Sequence, residues 1–391
     1  MPLTSTSESV STEGLQKAYD LCVAKTHKNI QILADSPKTT YSFDKDGCYS
    51  RWPEGFFEIG NWTTSFFTGM ALLAYESTHD SFFLKQLNRL TGVYTDKITR
   101  ASMDTMHDLG FLYSLYSVGL WKITGSTEHR NLALKAAEEL AKRYIPKGEY
   151  IRAWGRTDDN RDEYAGLAII DCLMNLPLLF WASRETGNPF FHEIAIKHAD
   201  TTAKSFVRKD YSVCHAYRFD LTTGQPDRED NYCGAGIGSH WARGTAWAVY
   251  GYSMTARYTG ESRYRDLSQK IAERFLSLLD GETVPLWDFR IKTDIRDSSA
   301  ASIMACGLYD LAEHGSSTQH FARYADTLLG KLTKDYVNYD LNIHGVLTRA
   351  QVGDGIDKDK NVKGREVYTS WGDYFLMEAL ARKLRKQKPY W

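Results

Sequence analysis

The stretch IIDCLMNLPLLFWAS (169–183), running on into RETGNPFFH (184–192), decides the fold. Its first part is apolar on nearly every side, so a helix made from it has no face to give to water and must be surrounded by protein. Its second part is a stop, with Gly187 supplying the left-handed residue that ends a helix. The same design recurs at YESTHDSFF (75–83), KITGSTEHR (122–130), RYTGESRYR (257–265) and AEHGSSTQH (312–320), where Gly125, Gly260 and Gly315 take the place of Gly187 in the last three. Upstream of each turn lies an apolar helix, as in GTAWAVYGYSMTA (244–256). Downstream lies a helix with one apolar stripe and a charged face, as in NLALKAAEELAKRY (131–144) and YRDLSQKIAERFLSLL (264–279). An all-round apolar helix belongs inside and a striped one outside, so successive hairpins build a ring of inner helices wrapped by outer ones. The chain is predicted to be all-α, an (α/α)6 toroid or six-hairpin barrel in a single domain, with YTSWGDYFLMEALARKL (368–384) as the sixth inner helix. Residues 1–15 are expected to form a flexible N-terminal segment and residues 16–391 the catalytic domain.

In such an in-out series the inner helices all run the same way, so their N-termini meet at one mouth. The residues at those starts are Asn61 and Trp62, His107 and Asp108, Asp171, Trp241 and Arg243, Asp297 and Ser298, then Trp371 and Asp373. Helix capping explains an aspartate at such a place, as in TMHDLGFLYSLYS (105–117), but tryptophan and arginine are poor caps. They suit a pocket for a flat, anionic sugar, which converging helix dipoles also favour. Asp171, set among Ile169, Ile170, Cys172 and Leu173, is a carboxylate in so apolar a run that burial without use would be costly.

Composition narrows the classes. With 48 basic and 49 acidic residues the net charge is -1, which points to no nucleic-acid partner and no membrane surface. The polar start MPLTSTSESVSTEG lacks an apolar signal core, and no run reaches the roughly 18 apolar residues of a membrane span. Six scattered cysteines lack zinc-site spacing and read as reduced thiols, so a cytoplasmic location is expected. Neither HExxH nor a comparable ligand set is present, and GAGIGSH (234–240) follows no strand of a βαβ unit, so no metal and no cofactor are expected. The abundance of aromatic rings, 10 Trp, 24 Tyr and 17 Phe, can line a carbohydrate cleft or fill a core.

Five motifs in order, HDLGFLYSL (107–115), IIDCLMNLPLLFWA (169–182), WARGTAWAVYG (241–251), RDSSAASIMACGL (296–308) and SWGDYFLMEAL (370–380), resemble the unsaturated glucuronyl hydrolases, glycoside hydrolase family 88. The likeness runs from about residue 60 to the C-terminus. It implies the six-hairpin toroid and release of a 4,5-unsaturated glucuronic acid from the non-reducing end of oligosaccharides left by polysaccharide lyases. It further implies that Asp171 is the principal catalyst and Asp108 a second functional carboxylate, with Trp62, Phe66, His107, Trp154, His215, Trp241, Arg243 and Trp247 as substrate-binding positions. The implied partner is an unsaturated uronic-acid oligosaccharide, handled by a monomer or small homo-oligomer. Cys233 stands where the resemblance leads one to expect a glutamine, and TRAQVGDGIDKDKNVKG (348–364) lacks the serine and lysine pattern of members that prefer sulfated disaccharides.

The weak point of such a sugar is its alkene, a vinyl ether conjugated to a carboxylate. An acid protonates C4, the ring oxygen stabilises charge at C5, and water adds there; the hemiketal then opens and the aglycone leaves. On this reading Asp171 starts neutral and serves as acid and then base, Asp108 stays ionised to hold hydroxyls, and Arg243 offers a fork of donors to the uronate carboxylate. The alternatives are a related rhamnogalacturonyl specificity, conventional two-carboxylate hydrolysis, or an inactive carbohydrate-binding scaffold.

Overall fold

The structure is a computed structural model and describes residues 11–38, 40–41, 43–44, 47–49, 51–279, 282–292, 294–352 and 366–391. Its first helix, α1 (Thr12–Asp35), begins inside the stretch expected to be flexible; it is capped by the Ser11 hydroxyl, which accepts from Gly14 N–H. Residues 1–10 of that expected segment lie outside the described residues.

From α1 the chain alternates. The inner positions are α2 (Thr64–Thr78), then α5 (Leu109–Tyr113) continuing through a π-turn at Ser114–Val118 into α6 (Gly119–Thr124). They continue with a 3-10 turn (Ile170–Met174) leading into α8 (Leu176–Thr186), then α10 (Ala242–Thr259), α12 (Ser298–Ala312) and α14 (Ser370–Arg385). The outer positions are α1, the pair α3 (Ser81–Asn88) and α4 (Thr91–Thr99), α7 (Thr127–Ala141), α9 (Pro189–Ser205), α11 (Ser262–Ser277) and α13 (Phe321–Asp335). Neighbouring inner helices pack around a full circle, and α14 closes it against α2. This is the (α/α)6 toroid, a single domain around one large apolar core, with a small second cluster of Ala153, Leu167, Ile169 and Ala216.

The turns are as the sequence leads one to expect, with one correction. Gly125, Gly187 and Gly260 cap their helices at φ 70, 72 and 75. His79 does the same at φ 56. Gly315, however, lies beyond Glu313, the right-handed cap of α12, so it turns the following loop instead of ending the helix.

Two features absent from the sequence reading position the site. Leu167–Ile169 is a strand paired antiparallel with Ala216–Phe219, which in turn pairs with Pro226–Asp230, and this small sheet sets the path into the 3-10 turn that carries Asp171. That turn is also clamped from both sides by glycines. A Cβ on Gly110 of α5 would lie 2.3 Å from Asn175 Cα, and one on Gly251 of α10 would lie 2.4 Å from Leu173 Cβ. Only residues without a side chain permit so close an approach.

Candidate active site

At the mouth where the inner N-termini meet, the structure brings His107, Asp108 and Asp171 together. His107 Nε2 lies 3.6 Å from Asp108 Oδ2 and 3.6 Å from Asp171 Oδ1. One ligand-type atom from each of the three lies within 4.8 Å of the others, a set that linear spacing did not reveal. His107 is fully buried and Asp108 nearly so, while the Asp171 side chain keeps 20% of its surface open. Both ring nitrogens of His107, Oδ1 of Asp108 and Oδ1 of Asp171 are buried without a hydrogen-bond partner in the protein. Buried polar atoms are almost always paired, so several orphans converging on one spot mark the place of a polar ligand.

Asp108 settles the capping question. It is the N-cap residue of α5, yet its carboxylate makes no capping bond. Asp297 and Asp373, from the same list of helix starts, do scaffold work instead. Asp297 accepts from Ser299 N–H at 3.0 Å and pairs with Arg243, and Asp373 accepts from Leu347 N–H at 2.7 Å and Val346 N–H at 2.9 Å.

Burial pushes the Asp108 carboxyl well above the usual carboxylate range, and the negative charge of Asp171 pushes it further, against Arg143. Burial likewise raises Asp171, to about 7, opposed by a backbone hydrogen bond and by Arg243. Two such groups resist losing both protons, so the pair retains one into the mildly acidic range. Of the two, Asp108 is the deeper and Asp171 the more open. Burial, followed by the cations of Arg143, holds His107 well below its usual value and therefore neutral.

The other expected residues divide into two groups. His215 is buried and its Nδ1 accepts from Tyr232 N–H at 3.0 Å and Cys233 N–H at 3.3 Å, while its ring meets the edge of Trp241 at 4.7 Å. Trp241 starts α10 with its Nε1 unpartnered. Trp62 is part-exposed and stacks on Trp371 at 4.8 Å, and Trp154 is part-exposed against Tyr232 at 4.7 Å and Tyr164 at 5.4 Å. Trp62 and Trp154 thus keep part of their ring surface open. Phe66 and Trp247 are instead packed in the core: Trp247 is 1% exposed with its ring against Phe111 and Phe375, and Phe66 packs on Phe111, Tyr374 and Phe375.

Arg243 is not the free fork that was expected. It is buried between Trp241 and Trp371, with Nη1 on Asp297 at 2.9 Å, Ser299 Oγ at 3.2 Å and the Gln351 carbonyl, and Nη2 on the Val352 carbonyl at 3.2 Å. Only Nε lacks a partner. The segment 353–365, which carries most of the stretch read for sulfate preference, lies outside the described residues.

Sequence reasoning missed two residues here. Arg143, at the end of α7, donates to the carbonyls of Thr105, Arg152, Ala153 and Gly155 and holds the chain around His107 in place. Asn175, fully buried beside the 3-10 turn, accepts from Phe111 N–H at 2.7 Å. The argument applied to Asp171, a polar residue in an apolar run, would have found Asn175 as well.

The glycosyl hydrolase family 88 model matches residues 37–378. An unsaturated chondroitin disaccharide hydrolase of Streptococcus pyogenes serotype M1 is 34% identical, with 98% of this chain and 94% of the relative covered. An unsaturated glucuronyl hydrolase of Bacillus sp. strain GL1 is 35% identical over 85% of this chain and 88% of its own. The crystal structure of an unsaturated glucuronyl hydrolase from Bacillus sp. GL1, described as responsible for the degradation of glycosaminoglycan, superposes with a TM-score of 0.87 at 31% identity, covering 96% of this chain and 98% of that one. A mutant of the Streptococcus agalactiae unsaturated glucuronyl hydrolase, complexed with dGlcA-GalNAc6S, superposes with a TM-score of 0.80 at 25% identity, covering 99% and 95%.

Proposed function

This chain belongs to glycosyl hydrolase family 88 and is a glycoside hydrolase, and we propose that Asp171 drives its reaction by hydrating the C4=C5 double bond of an unsaturated glucuronic acid at the non-reducing end of lyase-generated oligosaccharides. The observation that carries this reading is the pair of buried carboxyls with unpartnered oxygens around one neutral imidazole. Both aspartates approach the same His107 nitrogen, and their nearest ligand-type atoms lie within 4.8 Å. Carboxylates that flank a glycosidic bond stand about 5–5.5 Å apart in retaining enzymes and about 6.5–9.5 Å in inverting ones. The pair is therefore too close for the inverting arrangement, and the shared proton of two buried carboxyls is what supports acid chemistry.

Asp171, the more open of the two, faces the substrate and donates its proton to C4. Sugar hydroxyls donating to Asp108 favour its ionised form, which leaves the proton on Asp171. Once charged, Asp171 takes a proton from the water that adds at C5. The uronate carboxylate meets the two unpartnered donors, Trp241 Nε1 and Arg243 Nε, with Trp62 and Trp154 against the ring faces. Two further expectations go with this reading. No helix of the described residues is long and apolar enough to cross a membrane, and the six cysteines form no disulfide, which supports a reducing, cytoplasmic compartment. The assembly that goes with this reading is a monomer or small homo-oligomer.

The test is ultraviolet absorbance on lyase-generated disaccharides. Attack on the alkene erases the conjugated chromophore as sugar is released. Release of the aglycone with the absorbance intact would overturn the proposal.

A further inference from the structure

A helix needs its first free N–H groups satisfied, and the usual supplier is the side chain of its own N-cap residue. In α5 that residue is Asp108, whose carboxylate makes no such bond. The third amide of the helix, Phe111 N–H, donates instead to Asn175 Oδ1 at 2.7 Å, from a different inner helix 64 residues away in sequence. Asn175 Nδ2 in turn donates to the Asp171 carbonyl at 3.3 Å. Asn175 is completely buried, and its backbone is pressed so closely on Gly110 that an added Cβ there would meet Asn175 Cα at 2.3 Å.

We propose that Asn175 is a positioning residue that caps α5 in trans, releasing the Asp108 carboxylate from helix capping and tying its helix to the turn that bears Asp171. An aspartate at an N-cap with an uncapped amide two residues inside the helix has an attractive place to go. Without Asn175 the carboxylate of Asp108 turns onto Phe111 N–H and leaves the site. The bond that keeps the two carboxylates together is therefore a cap borrowed from the catalytic turn.

The consequence for acid chemistry follows from what faces each group. Asp108 is faced by Asp171 from the 3-10 turn, by Arg143 from the end of α7, by Lys97 of α4, by the Cys172 thiol, by its neighbour His107 and by the Asn175 side chain, which also favours its charged form by hydrogen bonding. Asp171 is faced by Asp108, His107, Cys172 and Arg243 of α10. Of these, the Asp108 charge is the one a change at Asn175 moves. Separating the two carboxyls lifts the mutual repulsion that keeps one proton on the pair, so the alkaline limb of the rate profile moves to lower pH.

The inference rests on the hydration reading, and its test separates the two. Wild-type enzyme, Asn175→Ala and Asn175→Asp are assayed on an unsaturated disaccharide across pH, with thermal melts of each. If wild type fails to consume the alkene, the functional reading falls. If wild type turns over, Asn175→Ala is expected to lose about a hundredfold or more in kcat with KM changed by less than about threefold, and its alkaline limb is expected to move down in pH. Asn175→Asp, which keeps the acceptor for Phe111 N–H, is expected to recover kcat to within about tenfold of wild type. It is also expected to shift the alkaline limb upward, because a third carboxyl is added. Should Asn175→Ala not fold, the aspartate variant alone decides, and loss of more than about a hundredfold in its kcat overturns the proposal. So does an Asn175→Ala enzyme with wild-type kcat and an unmoved pH profile.

Discussion

Asp108 and Asp171 differ from the other aspartates of the mouth in what they lack: each keeps a buried oxygen with no protein partner, whereas Asp297 and Asp373 are taken up by backbone amides and, for Asp297, by Arg243. Asp171→Asn preserves shape but cannot give a proton to carbon, so kcat is expected to fall by more than about a thousandfold, roughly 4 kcal/mol of barrier, while substrate binding survives. Activity within about tenfold of wild type would remove Asp171 from its role. The same residue has a signature in stability. Its pKa is raised in the folded protein from an ordinary 3.8 to about 7, so the folded state holds a proton that the unfolded chain releases. The stabilisation is complete below 3.8 and is lost as pH rises through about 7. Thermal melts of Asp171→Asn and wild type should therefore coincide near the acid end of that window and diverge above it, with the variant more stable. A wild type that melts no lower than the variant above the window would contradict the raised pKa. At this scale the sequence was partly legible. A carboxylate in an apolar run announces its cost, but residue type cannot separate a part-open ring such as Trp62 from core rings such as Phe66 and Trp247, because both uses want the same flat apolar surface.

At the scale of elements, the approach of α5 to the turn that carries Asp171 is set by a missing side chain. Gly110→Ala places a methyl 2.3 Å from Asn175 Cα, where backbone and not a flexible side-chain tip must yield. Overpacking of this kind costs about 1–3 kcal/mol, and here it also spreads the two carboxylates, so a lower urea midpoint and a lower kcat are expected together. A variant that matches wild type in both would mean that the contact is looser than described. Inner and outer helices were legible because all-round and striped apolar patterns differ over many residues. The strand Leu167–Ile169 and the other pairs were not, because two to five residues carry no readable period. The trans cap at Asn175 was hidden for another reason: its partner Phe111 lies 64 residues away, and only folding brings them together.

Over the whole molecule the two ends of the toroid do different work. One end gathers helix N-termini and the chemistry. At the other, Asp310 of α12 is buried and joins three inner helices, accepting from Ser253 Oγ at 2.7 Å and Arg382 Nη2 at 3.3 Å and pairing with Arg257. Asp310→Ala leaves buried guanidinium groups unmatched and is expected to cost about 3–5 kcal/mol in denaturant unfolding. Because that end is remote from the mouth, kcat per folded molecule should not change. A drop in kcat without a loss of stability would show that the ends are coupled. The toroid itself was legible from the order of turns, and the mouth followed from it, since helices laid in one direction must bring their starts together.

The central claim is that the enzyme protonates an alkene, and the most direct measurement is where solvent atoms enter the product. Reaction in heavy water should place deuterium on C4 of the released sugar, and labelled water should deliver its oxygen to C5, read by mass spectrometry and NMR before exchange erodes it. Labelled oxygen at C1 alone, with none at C5, would contradict the account and the role it gives Asp171.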